Sequence, residues 1–156
     1  MKVFNTLVGA ADLAHHLHDA RWRVFDCSFD LVHPHAGELA YREVHIPGAI
    51  YAHLERDLSG PLTGRNGRHP LPDPARFAVR LSEWGVGNDT QVVVYDDAGG
   101  TYAVRLWWML RWLGHDAVAV LDGGYAKWVA EKRPVSTAAQ SYAPATFAIR
   151  KVMPHV

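Results

Sequence analysis

One cysteine, Cys27, stands among the 156 residues. A single thiol closes no internal disulfide, and a reducing, cytoplasmic setting is the simplest reading. Charge of either sign is not in excess: Lys plus Arg is 16, Asp plus Glu is 16, and the formal net charge is zero with histidine neutral. A nucleic-acid binder that works by counterion release carries a basic surplus, so nucleic acid is not an expected partner. No apolar run approaches the roughly 18 residues of a membrane span, so a membrane is not expected either. The first residues, MKVFNTLVGAADLAHH, hold one lysine and no continuous apolar stretch, which argues against a secretory signal. Repeats and low-complexity stretches are also missing. The remainder is globular in balance, 49% hydrophobic against 21% charged. That length suits one domain whose core needs no disulfide or metal staple.

Helix-like and strand-like pieces alternate along the chain. Ala11, Leu13, Ala14 and Leu17 fall at helical spacing within 10–19, and Arg23–Phe29 reads as a short strand. Pro47-Gly48 punctuates, and Ala49–Ala52 reads as a second strand. Asp57–Pro74 is a loop, with Gly60, Pro61, Gly64, Gly67, Pro70, Pro72 and Pro74. A helix fits Pro74–Trp84, with proline near its start and Gly85 past its end. Gln91–Tyr95 (QVVVY) predicts a strand covered on both faces. Thr101–Leu113 predicts a helix ended by Gly114. Ala117–Leu121 is a further buried strand, and Gly124–Glu131 a last helix before Pro134. Such alternation predicts an α/β fold, a mostly parallel sheet with helices on both faces. Ligands then bind beyond the carboxyl ends of the strands, which directs attention to the turn after Tyr95.

That turn reads Asp96-Asp97-Ala98-Gly99-Gly100-Thr101. A buried strand ends, two glycines permit a tight curve, and a helix begins. Successive N–H groups there converge, and the helix dipole adds positive potential, so the turn is a cradle for an anion or an ionised nucleophile. The plainer alternative is that Gly99-Gly100 only lets the chain reverse. The turn has no Cys, Ser or His, so neither thiolate chemistry nor a serine–histidine relay can begin from it.

The chain resembles a rhodanese-like domain, in particular the N-terminal half of tandem-domain thiosulfate and 3-mercaptopyruvate sulfurtransferases. The residues that carry the resemblance are His45-Ile46-Pro47-Gly48-Ala49, Val92–Asp96, the helix Arg105–Arg111, Gly114-His115, and Asp122-Gly123-Gly124 followed by Trp128. Phe25-Asp26 and Leu71-Pro72 add to it, and the likeness runs from about Leu7 to Pro134. It implies a largely parallel sheet of about five strands. It also implies a chemistry in which a loop cysteine takes a sulfane sulfur, becomes a persulfide and passes the sulfur to a thiophilic acceptor. The cysteine position of that loop falls on Asp96 here. A carboxylate oxygen cannot carry sulfur as a persulfide does, and its charge would repel anionic donors. The resemblance therefore implies a catalytically silent N-terminal half, with Asp96–Thr101 a vestigial loop and with His45, Pro47, Gly48, Arg105, Asp122, Gly123, Gly124 and Trp128 structural. No cofactor is implied. The expected partner is a second rhodanese domain of the same parent chain. Residues 1–140 are expected to form the domain and 141–156 the start of a connector to that second domain.

Other residues bear on competing functions. Cys27, the only thiol, lies between Phe25 and Phe29 in a strand and reads as an inert core thiol, since reactive thiols want exposure and positive surroundings. His15, His16, His18, His33 and His35 cluster in sequence, but no Cys or acidic pattern joins them, so surface histidines are expected and no metal. Arg105, Trp107, Trp108, Arg111 and Trp112 share one helix, whose aromatic surface either belongs to the core or packs on a second domain. Arg65, Arg68 and His69 read as a solvated loop, or as residues facing an active cleft or an anion. A stand-alone binding module is the second functional reading. A Mg²⁺-dependent phosphatase using Asp96 is a third, against which Ala98 occupies the place where a second carboxylate would be needed.

Overall fold

The computed structural model describes residues 2–154. In chain order the elements are β1 (Leu7–Val8), α1 (Ala10–His15), β2 (Trp22–Asp26), α2 (Ala36–Glu43), β3 (Ile50–Tyr51), α3 (Pro74–Glu83), β4 (Gln91–Tyr95), α4 (Ala103–Trp112), β5 (Val118–Leu121) and α5 (Gly124–Ala130). The five strands form one sheet in the order β1-β5-β4-β2-β3, and every pairing is parallel. The expected α/β class with about five strands is what the chain forms. β4 lies at the centre, in register with β2 from Trp22↔Gln91 to Asp26↔Tyr95.

Strand side chains alternate between faces, and two cores result. Phe25, Val92 and Val94 meet Phe77 and Leu81 of α3 and Leu106, Met109 and Leu110 of α4. Val24, Val93 and Tyr95 meet Leu13 of α1, Tyr41 of α2 and Trp128 of α5. Burying one such side chain contributes roughly 1.5–3 kcal/mol, so the sheet is held from both sides. β4 and β5 send their following helices to opposite faces. The ends of these two strands therefore flank the crevice where such sheets place ligands.

Local chemistry explains where expectation and structure differ. α1 stops at His15, because His16 turns its ring onto Trp22 (centroids 4.0 Å apart) while its Nδ1 lies 2.9 Å from Asp12 O. β2 ends at Asp26, whose Oδ1 accepts the Ser28 N–H and bends the chain. α3 starts as expected: Pro74 is its first residue and the Asp73 side chain caps the Arg76 N–H. Two elements carry no signal strong enough to predict. β1 is a two-residue edge strand. α2 holds a glycine, and a Cβ at Gly37 would collide with the Ser28 carbonyl, so close packing rather than helix propensity places it.

Residues 141–154 have neither helix nor strand, yet they form a strap laid across the domain. Tyr142 Oη donates to Gly48 O at 2.6 Å. The Ala145 N–H donates to Ser82 O, and the Phe147 N–H to Ser82 Oγ. Asn88 and Ala148 exchange two hydrogen bonds. The Met153 N–H donates to Trp112 O. Phe147 is buried against the core and against His115. The strap passes so near that a Cβ on Gly85 would lie 3.0 Å from Ala143 O, and one on Gly114 2.8 Å from Lys151 N. Both glycines have positive φ. They end helices and also leave room for the strap.

Candidate functional site

The turn after β4 is closed around a side chain of its own. Asp96 is 1% exposed. Its Oδ1 accepts the N–H groups of Ala98 and Gly100, and its Oδ2 those of Tyr102 and Ala103, all four at 2.8 Å. The last two belong to the start of α4, which explains why the helix begins at Ala103 and not at Thr101: its leading N–H groups are held by Asp96. Gly99 and Gly100 have φ of 70° and 94°, values that glycine adopts without strain. Asp97, Ala98 and Thr101 are exposed on the rim, with Thr101 Oγ1 donating to Ala98 O.

Asp122, Gly123 and Gly124 follow β5 and face the same crevice. A Cβ on Gly124 would lie 2.8 Å from Asp96 O, and that oxygen accepts the Tyr125 N–H. The glycine pair therefore lets α5 start against the Asp96 backbone. A small crevice of about 180 Å³ lies between the two loops, lined by Asp96, Gly99, Gly100, Asp122, Gly123 and Gly124 among others.

The remaining motif residues sit away from this crevice. His45 is fully buried between two carbonyl oxygens, with Nδ1 2.6 Å from Tyr41 O and Nε2 2.7 Å from Ala138 O. Gly48, φ 82°, turns the chain after Pro47 and offers its carbonyl to Tyr142. Arg105 reaches from α4 to the long loop and donates to Leu58 O and Pro70 O. Burial lowers its pKa from the ordinary guanidinium value. Trp128 is fully buried, with Nε1 donating to Pro134 O.

Cys27 is 2% exposed. Burial pushes its thiol well above the ordinary value, and the charges of Asp26, Asp96 and Asp57 push the same way. A thiol held protonated and covered is a poor nucleophile. Asp26 is itself buried, and burial raises its pKa above the ordinary carboxylate value despite the hydrogen bond from the Ser28 N–H. The Asp96 carboxylate has both oxygens engaged and almost no exposure, so it cannot approach a phosphoryl group as a nucleophile.

Among the described residues no group of three or more His, Cys, Asp or Glu could hold a metal ion, and no helix is long and apolar enough to cross a membrane. In the long loop His69 Nε2 lies 3.3 Å from Glu55 Oε2, and Arg68 donates to Leu31 O. Glu55 gives no sign of itself in the sequence, because its pairing with His69 spans an irregular loop without periodicity. On α4 Trp112 is buried, stacked on Trp108, while Trp107 Nε1 donates to Asn5 O. Those aromatics are largely used within the domain.

A rhodanese-like domain family model matches residues 9–131. The chain belongs to the rhodanese-like domain family. Its similarity to a probable 3-mercaptopyruvate sulfurtransferase of Pseudomonas aeruginosa is 48% identity over 143 residues, covering 90% of this chain and 50% of that protein. It is 36% identical to thiosulfate sulfurtransferase of Mus musculus over 153 residues, covering 93% and 50%. Among solved structures it superimposes on the SseA 3-mercaptopyruvate sulfotransferase of Escherichia coli with a TM-score of 0.80 at 30% identity, covering 95% of this chain and 57% of that one. The 3-mercaptopyruvate sulfurtransferase of Leishmania major gives the same TM-score at 31% identity, covering 92% and 39%. This rhodanese-like chain spans about half the length of the curated relatives it matches.

Proposed function

We propose that this chain is the N-terminal half of a sulfurtransferase of the thiosulfate and 3-mercaptopyruvate type, and that this half is catalytically silent. The observation that carries the reading is the Asp96 carboxylate, which takes four converging N–H groups of the loop for itself. In a persulfide mechanism those donors would stabilise a thiolate and then a persulfide. Here a fixed carboxylate satisfies them, offers no sulfur to transfer and adds a negative charge that opposes anionic donors. The burial of Cys27 supports the same conclusion, since the one thiol of the chain is covered.

Half-length coverage of the relatives supports a second rhodanese domain as the partner within the parent protein. In this reading the present half supports that domain and shapes the cleft between the two. The test is cyanide-dependent thiocyanate formation from thiosulfate, and pyruvate release from 3-mercaptopyruvate, by the purified 156-residue chain. No turnover above the blank is expected. The longer gene product, if it carries a cysteine loop, is expected to turn over one donor or both. Clear turnover by the 156-residue chain would overturn the silence of this half. Inactivity of a cysteine-bearing longer product would overturn the sulfurtransferase assignment.

A further inference from the structure

We infer that Asn66-Gly67, at the tip of the long loop between β3 and α3, is a site of self-modification: the Gly67 nitrogen displaces ammonia from the Asn66 side chain, and the acid left behind unlatches the loop tip. This is independent of the sulfurtransferase reading. The ends of the loop are pinned, with the Gly60 N–H donating to Pro70 O at 2.8 Å and Arg105 donating to Leu58 O and Pro70 O. Between them residues 61–68 are all exposed and form neither helix nor strand. The Asn66 amide closes that tip on itself. Its Oδ1 accepts the Thr63 N–H at 3.0 Å, and its Nδ2 donates to Pro61 O at 2.9 Å. An N–H on one side and a carbonyl on the other fix which amide atom is which.

The chain has three asparagines, Asn5, Asn66 and Asn88, and only Asn66 precedes a glycine. A glycine nitrogen is the least hindered main-chain nucleophile, since no Cβ screens its approach. Among the described residues none accepts the Gly67 N–H. No atom comes within 4 Å of the place where a Gly67 Cβ would stand. Asn88, by contrast, is followed by Asp89 and exchanges two hydrogen bonds with Ala148. At Asn66 a base from water takes the Gly67 amide proton and the nitrogen attacks Cγ. The N–Cγ bond forms, the Cγ–Nδ2 bond breaks, and ammonia leaves behind a succinimide ring. Water then opens the ring. Breaking the N–Cγ bond gives aspartate, and breaking the bond to the main-chain carbonyl gives isoaspartate, whose backbone runs through Cγ. No oxidant or reductant enters. Both products lose the Nδ2 donor, so Pro61 O loses its partner, and in the aspartate form it faces another acceptor. The stretch between Asp57 and Asp73 holds Arg65 and Arg68 and no acidic residue. The product therefore also brings the first negative charge to that stretch.

The intact chain is incubated at mildly alkaline pH and mapped by peptide mass spectrometry, with isoaspartate told from aspartate by fragmentation. Conversion is expected at Asn66, as a gain of about one dalton when NH₂ is replaced by OH, well ahead of Asn5 and Asn88. Asn66→Asp supplies the aspartate product directly, and its exposed position lets the variant fold. Cleavage within 61–68 by a protease of broad specificity is expected to run about fivefold faster in that variant, the loss of one ordinary hydrogen bond. Each rate is divided by that of the same chain in denaturant, which removes any effect of the new residue on the protease itself. Asn66 left unconverted, or converted no faster than Asn5 and Asn88, overturns the modification site. An unchanged cleavage ratio in Asn66→Asp overturns the latch.

Discussion

Asp96 Oδ2 accepts the N–H of Ala103 at 2.8 Å, so the first residue of α4 is capped by a side chain seven positions upstream. With the other three N–H donors, that contact makes Asp96 both the filling of the loop and the start of a helix. Asp96→Ala would leave all four donors without their acceptor, the Ala103 N–H among them at the buried start of α4. Leaving even one such group unsatisfied costs about 1–3 kcal/mol, so a loss of at least about 2 kcal/mol is expected in urea denaturation. A stability within error of the parent would contradict the arrangement.

Asp96→Cys is expected not to bring sulfur transfer up to the level of an active sulfurtransferase homologue. The Asp97 carboxylate remains on the rim of the loop, and nothing built for a donor replaces Asp96. Thiocyanate formation is the measure, and homologue-level turnover would refute the expectation.

Cys27 should resist Ellman's reagent in the native chain and react with one equivalent in denaturant. Its burial and its raised pKa both act in that direction. Fast labelling under native conditions would show that the β2 end opens.

Stability should fall on mild acidification. His53 is buried, and its Nδ1 accepts the N–H groups of Glu55 and Arg56, which requires an unprotonated Nδ1. Burial lowers its pKa from the ordinary value, and the Arg56 charge does so too. Burial lowers His115 in the same direction. With the folded values below the unfolded value of about 6.5, the unfolded chain binds more protons in this window. The stabilisation is therefore present above that value and lost as pH drops through the folded ones. His53→Asn keeps an acceptor without a titration and should flatten the dependence of the urea midpoint between neutral pH and about pH 5. An unchanged slope would remove His53 from the account.

Phe147→Ala should cost about 3 kcal/mol or more, as for other buried aromatic truncations, although Phe147 lies outside every helix and strand. A cost near zero in thermal or urea unfolding would mean that the strap contributes little to the core.

The centre of the fold was legible because its signals are local. Gln91–Tyr95 is a β-branched run found at the bounds read from sequence, and Pro74 and Gly85 bracket α3 as helix punctuation predicts. Gly37 misleads, because the reason for a glycine in α2 is the Ser28 carbonyl on another segment. The packing of the strap leaves no mark in the sequence, since Tyr142 and Phe147 have no periodic neighbours, and their partners Gly48, Ser82 and His115 are far away in sequence. In the loop, an anion cradle was legible from Gly99-Gly100 at a strand-to-helix turn. That Asp96 itself fills the cradle, through both oxygens, depends on backbone directions that residue types do not encode.

The strap also bears on the order in which the molecule can be made. A chain leaving the ribosome from its N-terminus can pair β4 with β2 and β5 once Leu121 has emerged. Arg23 and Gly85 stay uncovered until Tyr142 follows, and the Trp112 carbonyl waits for Met153. At roughly 5–20 residues per second, that interval is on the order of seconds, during which the sheet is complete but one of its cores is still open. A nascent chain stalled in this interval would present that opening to chaperones.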